Sequence, residues 1–172
     1  MRRTIVLALL IIVCFVLQCT FCHAVSLAYI APNLLIILIS SFGFMRGKTE
    51  GLLIGFFCGL LVDIFFGQLL GLYAFIYMLI GYLNGIFNRI FYDLDIKMPL
   101  LMVFFSELAY NGIVLISQFV LRGRFQIGYY FEHIIIPEIT YTLCVTLLLY
   151  RVFYEINKWL EKFEKRGDST VA

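Results

Sequence analysis

From Thr4 to Cys22 the chain carries a single strongly polar side chain, Gln18. A helix needs about 20 mostly apolar residues to cross the hydrocarbon core of a bilayer, and this run supplies them. Met98 to Leu121 is a second such run, interrupted by Glu107 and Asn111, and Ile134 to Ile156 is a third. In water these segments would all need interior places. With 63% of 172 residues hydrophobic and only 14% charged, a globule of this size does not have them. Soluble domains carry about 25% charged residues. Lipid is therefore the solvent, and the composition describes a polytopic membrane protein. Disorder is excluded by the same numbers. Nucleic-acid binding is excluded by a net charge of +2 with no basic run outside the C-terminus.

The middle of the chain divides less cleanly. Leu34 to Met45 is short, since each helical residue advances about 1.5 Å. Carried back through Pro32 to about Val25 it becomes a full span, with the proline near its first turn, where a missing N–H costs least. Gly51 to Phe66 and Leu69 to Asn88 complete the set. The expectation is an all-α integral membrane protein of one domain. It is a compact bundle of six transmembrane helices at about 4–22, 25–45, 50–67, 69–88, 98–121 and 133–157, with a short basic tail at 158–172. Arg46, Lys48 and Glu50 punctuate spans two and three, and Asp93, Asp95 and Lys97 punctuate spans four and five. Between spans three and four only Gly67 to Gly71 remains, a tight turn with glycine at both ends.

Charge sets the orientation. Six spans put Arg2, Arg3, Arg46, Lys48, Arg89, Lys97, Arg151, Lys158, Lys162, Lys165 and Arg166 on one side, and only Arg122 and Arg124 on the other. The excess of lysine and arginine marks the first side, with both termini, as cytoplasmic. Met1-Arg2-Arg3 before an apolar run is also the opening of a signal peptide. The run is long and the small-residue cleavage pattern near Cys22 to Ala24 is poor, which favours a retained anchor.

The five cysteines (Cys14, Cys19, Cys22, Cys58 and Cys144) are an odd number and do not cluster in loops, so they are no disulfide framework. Cys19-Thr20-Phe21-Cys22-His23 matches the haem-attachment pattern, with His133 as the other histidine. The single occurrence and the apolar helical context argue against haem. Two histidines and scattered thiols do not make a metal site. The expectation is no cofactor, with the cysteines packed as small hydrophobes.

The most informative pattern is glycine at 51, 55 and 59, then Asp63, then Gly67, four residues apart throughout. On a helix these positions form one narrow stripe. Small residues at that spacing let another helix approach closely, and van der Waals packing is the main adhesive in lipid. Each interior glycine costs about 1 kcal/mol relative to alanine, so their recurrence implies that close packing is needed. A tight helix pair within the chain is the first reading, and a docking face for another protein the second. Asp63 shares the stripe and must face protein. It can cap a neighbouring helix, accept bonds from the Gly67–Gly71 turn, or pair with Arg122 or Arg124. A proton or ion relay would need more carboxylates in line. Gly81 and Gly85 repeat the spacing in span four, beside Asn84 and Asn88.

Glu107 and Asn111 stand four apart on one face of span five, with Gln118 two turns on. That face is too expensive to turn to lipid. Glu138 follows Pro137 near the start of span six, where it suits the positive end of the helix dipole. These intramembrane polar residues read first as adhesive between helices and second as the lining of a binding cavity. From Arg151 to Arg166 apolar and aromatic side chains, Trp159 among them, alternate with charge, as in an interfacial helix continuing from span six.

Pro32-Asn33-Leu34-Leu35, then Arg46-Gly47 followed by Gly51, Gly55, Gly59 and Asp63, then Gly67, Gly71, Leu72, Tyr73 and Ala74, and Gly81, Tyr82, Leu83 and Gly85 together resemble the rod shape-determining protein MreD family. The resemblance in order and spacing covers residues 32–85, and length, span number and basic tail fit over the rest. Asn33 stands where members of that family often carry Asp. The resemblance implies a noncatalytic scaffold of the bacterial inner membrane. Its partners would be an MreC-like protein, a RodA-like glycosyltransferase, a penicillin-binding protein and an MreB-like filament, with lateral peptidoglycan synthesis and cell shape as the output. A function of another class also fits a compact six-helix protein with inward polar residues. This is the small-molecule-binding membrane subunit of an energy-coupling-factor transporter, in which Asp63, Glu107 and Glu138 would line the cavity.

Overall fold

The apolar runs fold as helices throughout. The computed structural model describes residues 2–25, 31–67, 71–88, 97–122, 128 and 131–168, with side chains for 4–20, 31–67, 71–88, 98–117, 128, 132 and 134–160. The helices are α1 (Arg2–Val25), α2 (Leu34–Arg46), α3 (Lys48–Phe66), α4 (Leu72–Phe87), α5 (Lys97–Arg122) and α6 (Ile136–Asp168), the last entered through a π-helical turn at Phe131–Ile135. Among the described residues three helical stretches are long and apolar enough to cross a membrane: Lys48–Phe66, Met98–Ser117 and Ile136–Leu160. Thr4–Thr20, Leu34–Arg46 and Leu72–Phe87 are shorter apolar helices.

A helix that is apolar on every face must be buried on every face, and α2 is that helix. Leu34 through Gly43 is buried without a break, Leu35, Ile36, Ile37 and Ile39 completely. The other five helices all pack against it. The directions follow from the contacts. Asn33 meets Tyr77, Ser40 meets Asn84 and Phe44 meets Asn88, a constant offset of 44, so α2 and α4 run parallel. Asn33 with Thr142 and Phe42 with Phe153 set α6 parallel to them as well. Asn84 reaches Ser106 and Asn111 lies against Glu138, so α5 runs the opposite way; Gln18 reaches Asn33 at the start of α2 while Cys14 lies near Cys58 half-way along α3, so α1 runs opposite to α2 as well. Successive helices therefore alternate in direction. Large apolar side chains such as Phe65, Phe66, Phe75, Ile116 and Leu148 cover the outside, a surface that suits lipid and not water.

The expected start of the second helix is corrected. Ala31, Pro32 and Asn33 are not helical, and α1 itself extends to Val25. The helix begins at Leu34 because Asn33 caps it: its side-chain oxygen accepts from the N–H of Ile36 at 3.3 Å, while its carbonyl accepts from Ile37 at 3.3 Å. Non-helical backbone inside a lipid-solvated protein is tolerated where protein satisfies it. Here Thr142 accepts from the N–H of Asn33 at 3.1 Å and Gln18 accepts from the N–H of Leu35 at 3.2 Å. At its other end α2 reverses into α3 through one residue. Gly47 has φ +93, a conformation that side chains disfavour. The charges of Arg46 and Lys48 thus sit on the reversal itself. Arg46 also donates to Asn157, which holds the distal part of α6 against the end of α2. As expected, α6 continues past its apolar part; it reaches Asp168.

Candidate functional site

The glycine stripe of α3 lies against α4 of the same chain. A Cβ on Gly55 would fall 2.7 Å from the carbonyl carbon of Tyr77, and one on Gly59 would fall 2.7 Å from the backbone nitrogen of Ala74. From the other side, Gly81 meets the backbone of Gly51, and Gly85 meets that of Gly47 and Lys48. The two helices are an antiparallel hairpin in backbone contact along its length, so α4 fills the face that a partner helix would otherwise use. Gly71 serves the turn through its φ of +101, and among the described residues nothing lies within 4 Å of its Cβ position. Gly67 closes α3, its N–H donating to the carbonyl of Asp63 at 3.0 Å. Residues 68–70 of that turn lie outside the described residues.

Asp63 continues the stripe and is 1% exposed. Its two carboxylate oxygens accept from the N–H groups of Tyr73 at 3.1 Å and Ala74 at 2.8 Å. These are the second and third residues of α4, the groups that an N-capping side chain normally satisfies. The true cap residue is Gly71, which has no side chain to offer, so Asp63 caps from the neighbouring helix. Its charge also faces the positive end of the α4 dipole. Of the three roles open to it on sequence grounds, the structure gives it the cap. Arg124 and the side chain of Arg122 lie outside the described residues.

Beside this capped helix end lies a buried polar centre drawn from five helices. Asn33 is its node. Besides capping α2, it accepts from Gln18 of α1 at 3.4 Å and lies 3.4 Å from the hydroxyl of Tyr77 of α4, while its backbone N–H donates to Thr142 of α6. Tyr77 in turn stacks obliquely on Tyr110 of α5 with ring centroids 5.3 Å apart. Glu107 is completely buried, and no donor among the described residues reaches either of its carboxylate oxygens. Glu138 and Thr142 of α6 lie beside it. Asn111 donates to the backbone carbonyl of Glu107 at 3.2 Å and lies near Glu138. The structure thus brings Glu107, Asn111 and Glu138 together and leaves Asp63 on the hairpin at the same end of the bundle. Toward the opposite end, Asn84 donates to Ser106 at 2.7 Å and to the carbonyl of Ile80 at 2.9 Å, and Asn88 donates to the carbonyl of Phe44.

Tyr77, Tyr110 and Thr142 belong to this centre without being singled out from sequence, and Tyr73 beside them enters there only through the family resemblance. Tyr73 and Tyr77 stand four apart on α4, as do Thr142 and Thr146 on α6, a spacing that marks a shared helix face. Cys14, Cys19, Cys58 and Cys144 are free thiols. The side chains of Cys22, His23, Gln118 and His133 lie outside the described residues. Among those described, no group of three His, Cys, Asp or Glu residues is placed to hold a metal ion.

The node gives a direct test. Asn33→Ala removes a cap and strands its partners, and is expected to destabilise the protein by about 1 to 3 kcal/mol. Asn33→Asp keeps the cap and can still accept from Gln18 and the Tyr77 hydroxyl, so it is expected to stay within about 1 kcal/mol of the parent. Denaturation midpoints of the purified protein in one detergent check both. A larger loss for Asp than for Ala would overturn the assignment of Asn33 as an accepting cap.

No curated protein and no solved structure matches the chain. The family model for rod shape-determining protein MreD matches residues 1–160. That match takes in every element of the hairpin and the polar centre. On it, the chain belongs to the MreD family of rod shape-determining membrane proteins.

Proposed function

We propose that this protein is a noncatalytic scaffold subunit of the bacterial cell-elongation machinery. It sits as a six-span protein in the cytoplasmic membrane with both termini inside. Its partners are an MreC-like protein and, through the complex, a RodA-like glycosyltransferase, a penicillin-binding protein and an MreB-like filament. Its output is support of lateral peptidoglycan synthesis and hence of rod shape. The family match over residues 1–160 carries this reading. The alternating helix directions favour six crossings, and the distribution of lysine and arginine favours cytoplasmic termini. Connections as short as the single residue Gly47 leave little outside the bilayer, so partners must be gripped by outer helix faces or short loops.

A mild-detergent pull-down of the tagged protein from native membranes tests the proposal. An MreC-like protein and elongation enzymes are expected among the retained proteins, and depletion of the chain is expected to round rod-shaped cells. Recovery of a paired ATPase with its coupling subunit, with cell shape unchanged on depletion, would overturn the scaffold and establish a transporter subunit.

A further inference from the structure

Two carboxyl groups meet inside the bundle, and among the described residues no cation faces either of them. Glu107 of α5 is 0% exposed, and both of its oxygens lack a donor among the described residues. The carboxyl group of Glu138 on α6 lies in hydrogen-bonding reach of it. An ionised carboxyl group accepts and cannot donate, so two of them in contact make no bond and repel. One proton changes both facts. A protonated carboxyl donates, and its bond to a carboxylate is short and strong.

The surroundings divide the two roles. Asn111, one turn along α5 from Glu107, offers its amide to Glu138, which is only partly buried. Charge is supported there, and the enclosed Glu107 is the place for the proton. The other titratable groups facing the pair are the phenols of Tyr77 on α4 and Tyr110 on α5. The one charged side chain of α2, Arg46, stands at the far end of that helix. Glu132 of the π-helical turn is exposed, and the side chain of His133 lies outside the described residues. That turn, Phe131–Ile135, and Pro137 immediately precede Glu138. Both are irregularities at which helices bend, so a bond at Glu138 fixes the start of α6 just past a joint.

We propose that Glu107 and Glu138 form a proton-binding site, in which a proton on Glu107 bonds to the Glu138 carboxylate and latches the start of α6 to α5. The site goes beyond the scaffold role and does not depend on it. Release of the proton to water leaves two like charges in contact, so the latch opens as pH rises. The unfolded chain, with glutamates that ionise near about pH 4.3, binds one proton fewer than the native state. Stability therefore falls as pH rises.

The test uses the full chain purified in one detergent, by infrared spectroscopy and by equilibrium unfolding. At about pH 7 the parent is expected to show the C=O band of a protonated carboxyl group, ascribed to Glu107 by subtracting the spectrum of Glu107→Gln. That variant keeps a donor toward Glu138 in its NH2 group, so it is expected to fold without the band. Between about pH 6 and pH 8 the unfolding constant of the parent is expected to rise about tenfold more per pH unit than that of Glu107→Gln. Glu138→Gln exchanges a charged acceptor for a neutral one. Its carboxyl band is expected to remain and to move to higher frequency as the O–H bond to the acceptor weakens. It decides the matter with the parent if Glu107→Gln fails to fold. A parent without a protonated carboxyl band, a band or pH slope that persists in folded Glu107→Gln, or an unshifted band in Glu138→Gln would each overturn the proposal.

Discussion

Gly55→Leu is expected to abolish accumulation of the folded protein in the membrane. A Cβ at Gly55 already falls 2.7 Å from the carbonyl carbon of Tyr77 and closer still to its oxygen. These are backbone atoms of a helix and have no rotamer to move into. The only relief is separation of α3 from α4. Separation at Gly55 also opens the contacts at Gly51 and Gly59 and pulls Asp63 away from the N–H groups it caps. Overpacking a single core position costs about 1 to 3 kcal/mol. Opening a whole hairpin adds lost contacts to that figure, so a loss of about 4 kcal/mol or more is expected. Gly112→Ala is the matched control, since among the described residues nothing lies within 4 Å of its Cβ position in α5. It is expected to be neutral or to gain up to about 1 kcal/mol from helix propensity. Immunoblotting of membrane fractions and denaturation midpoints of the purified variants read both effects. Wild-type levels of Gly55→Leu with normal rod shape would show that α3 and α4 need no backbone contact.

The hairpin was legible because its cause is local. Glycine at 51, 55 and 59 marks one face of one helix, and the cost of each glycine says that something must come close. What comes close is less visible, although Gly81 and Gly85 repeat the spacing on the helix that does so. The start of α2 differs from the expected one for a physical reason. A run of 13 helical residues is too short to cross a bilayer, about 20 Å at 1.5 Å per residue, and length argued for extending it back through Pro32. Burial removes that requirement. A helix enclosed by five others does not have to match the lipid, and two N–H groups of its buried first turn are satisfied by Gln18 and Asn33. The Asn33 cap is local, three residues from Ile36, but the Gln18 bond comes from 17 residues away, and no local pattern announces it.

The polar centre divides in the same way. Glu107, Asn111 and Glu138 are visible in sequence because charge and amide groups inside apolar runs are expensive. That Glu107 faces Glu138 depends on how α5 packs on α6, and the cluster of Tyr73, Tyr77 and Tyr110 depends on α4 meeting α5. Tyr73 and Tyr77 share a face by spacing, but Tyr110 reaches them only through the fold. Intrahelical faces are written in the sequence at period 3.6; the pairing of faces is decided by the whole bundle.

Asp63→Ala is expected to cost about 2 to 4 kcal/mol, the second-largest loss among these substitutions, and for a reason unlike steric conflict. It strips the acceptor from two N–H groups at the start of α4, at a site only 1% exposed. Gly71, the residue in the cap position, offers no replacement. Asp63→Asn separates geometry from charge. Its amide has one oxygen where the carboxylate has two, and its NH2 group is turned toward a donor, so one bond and the dipole interaction are lost. A loss of about 1 to 2 kcal/mol is expected, between the parent and the alanine variant. Hydrogen exchange at the amides of Tyr73 and Ala74 reports the cap directly, and denaturation midpoints report its energy. Both amides should exchange faster in Asp63→Ala, and Asp63→Asn should fall between. If Asp63→Ala kept the parent midpoint and amide protection, the carboxylate would not be the cap. If Asp63→Asn matched the parent in stability but rounded the cells, the charge itself would serve rod-shape function and not the fold.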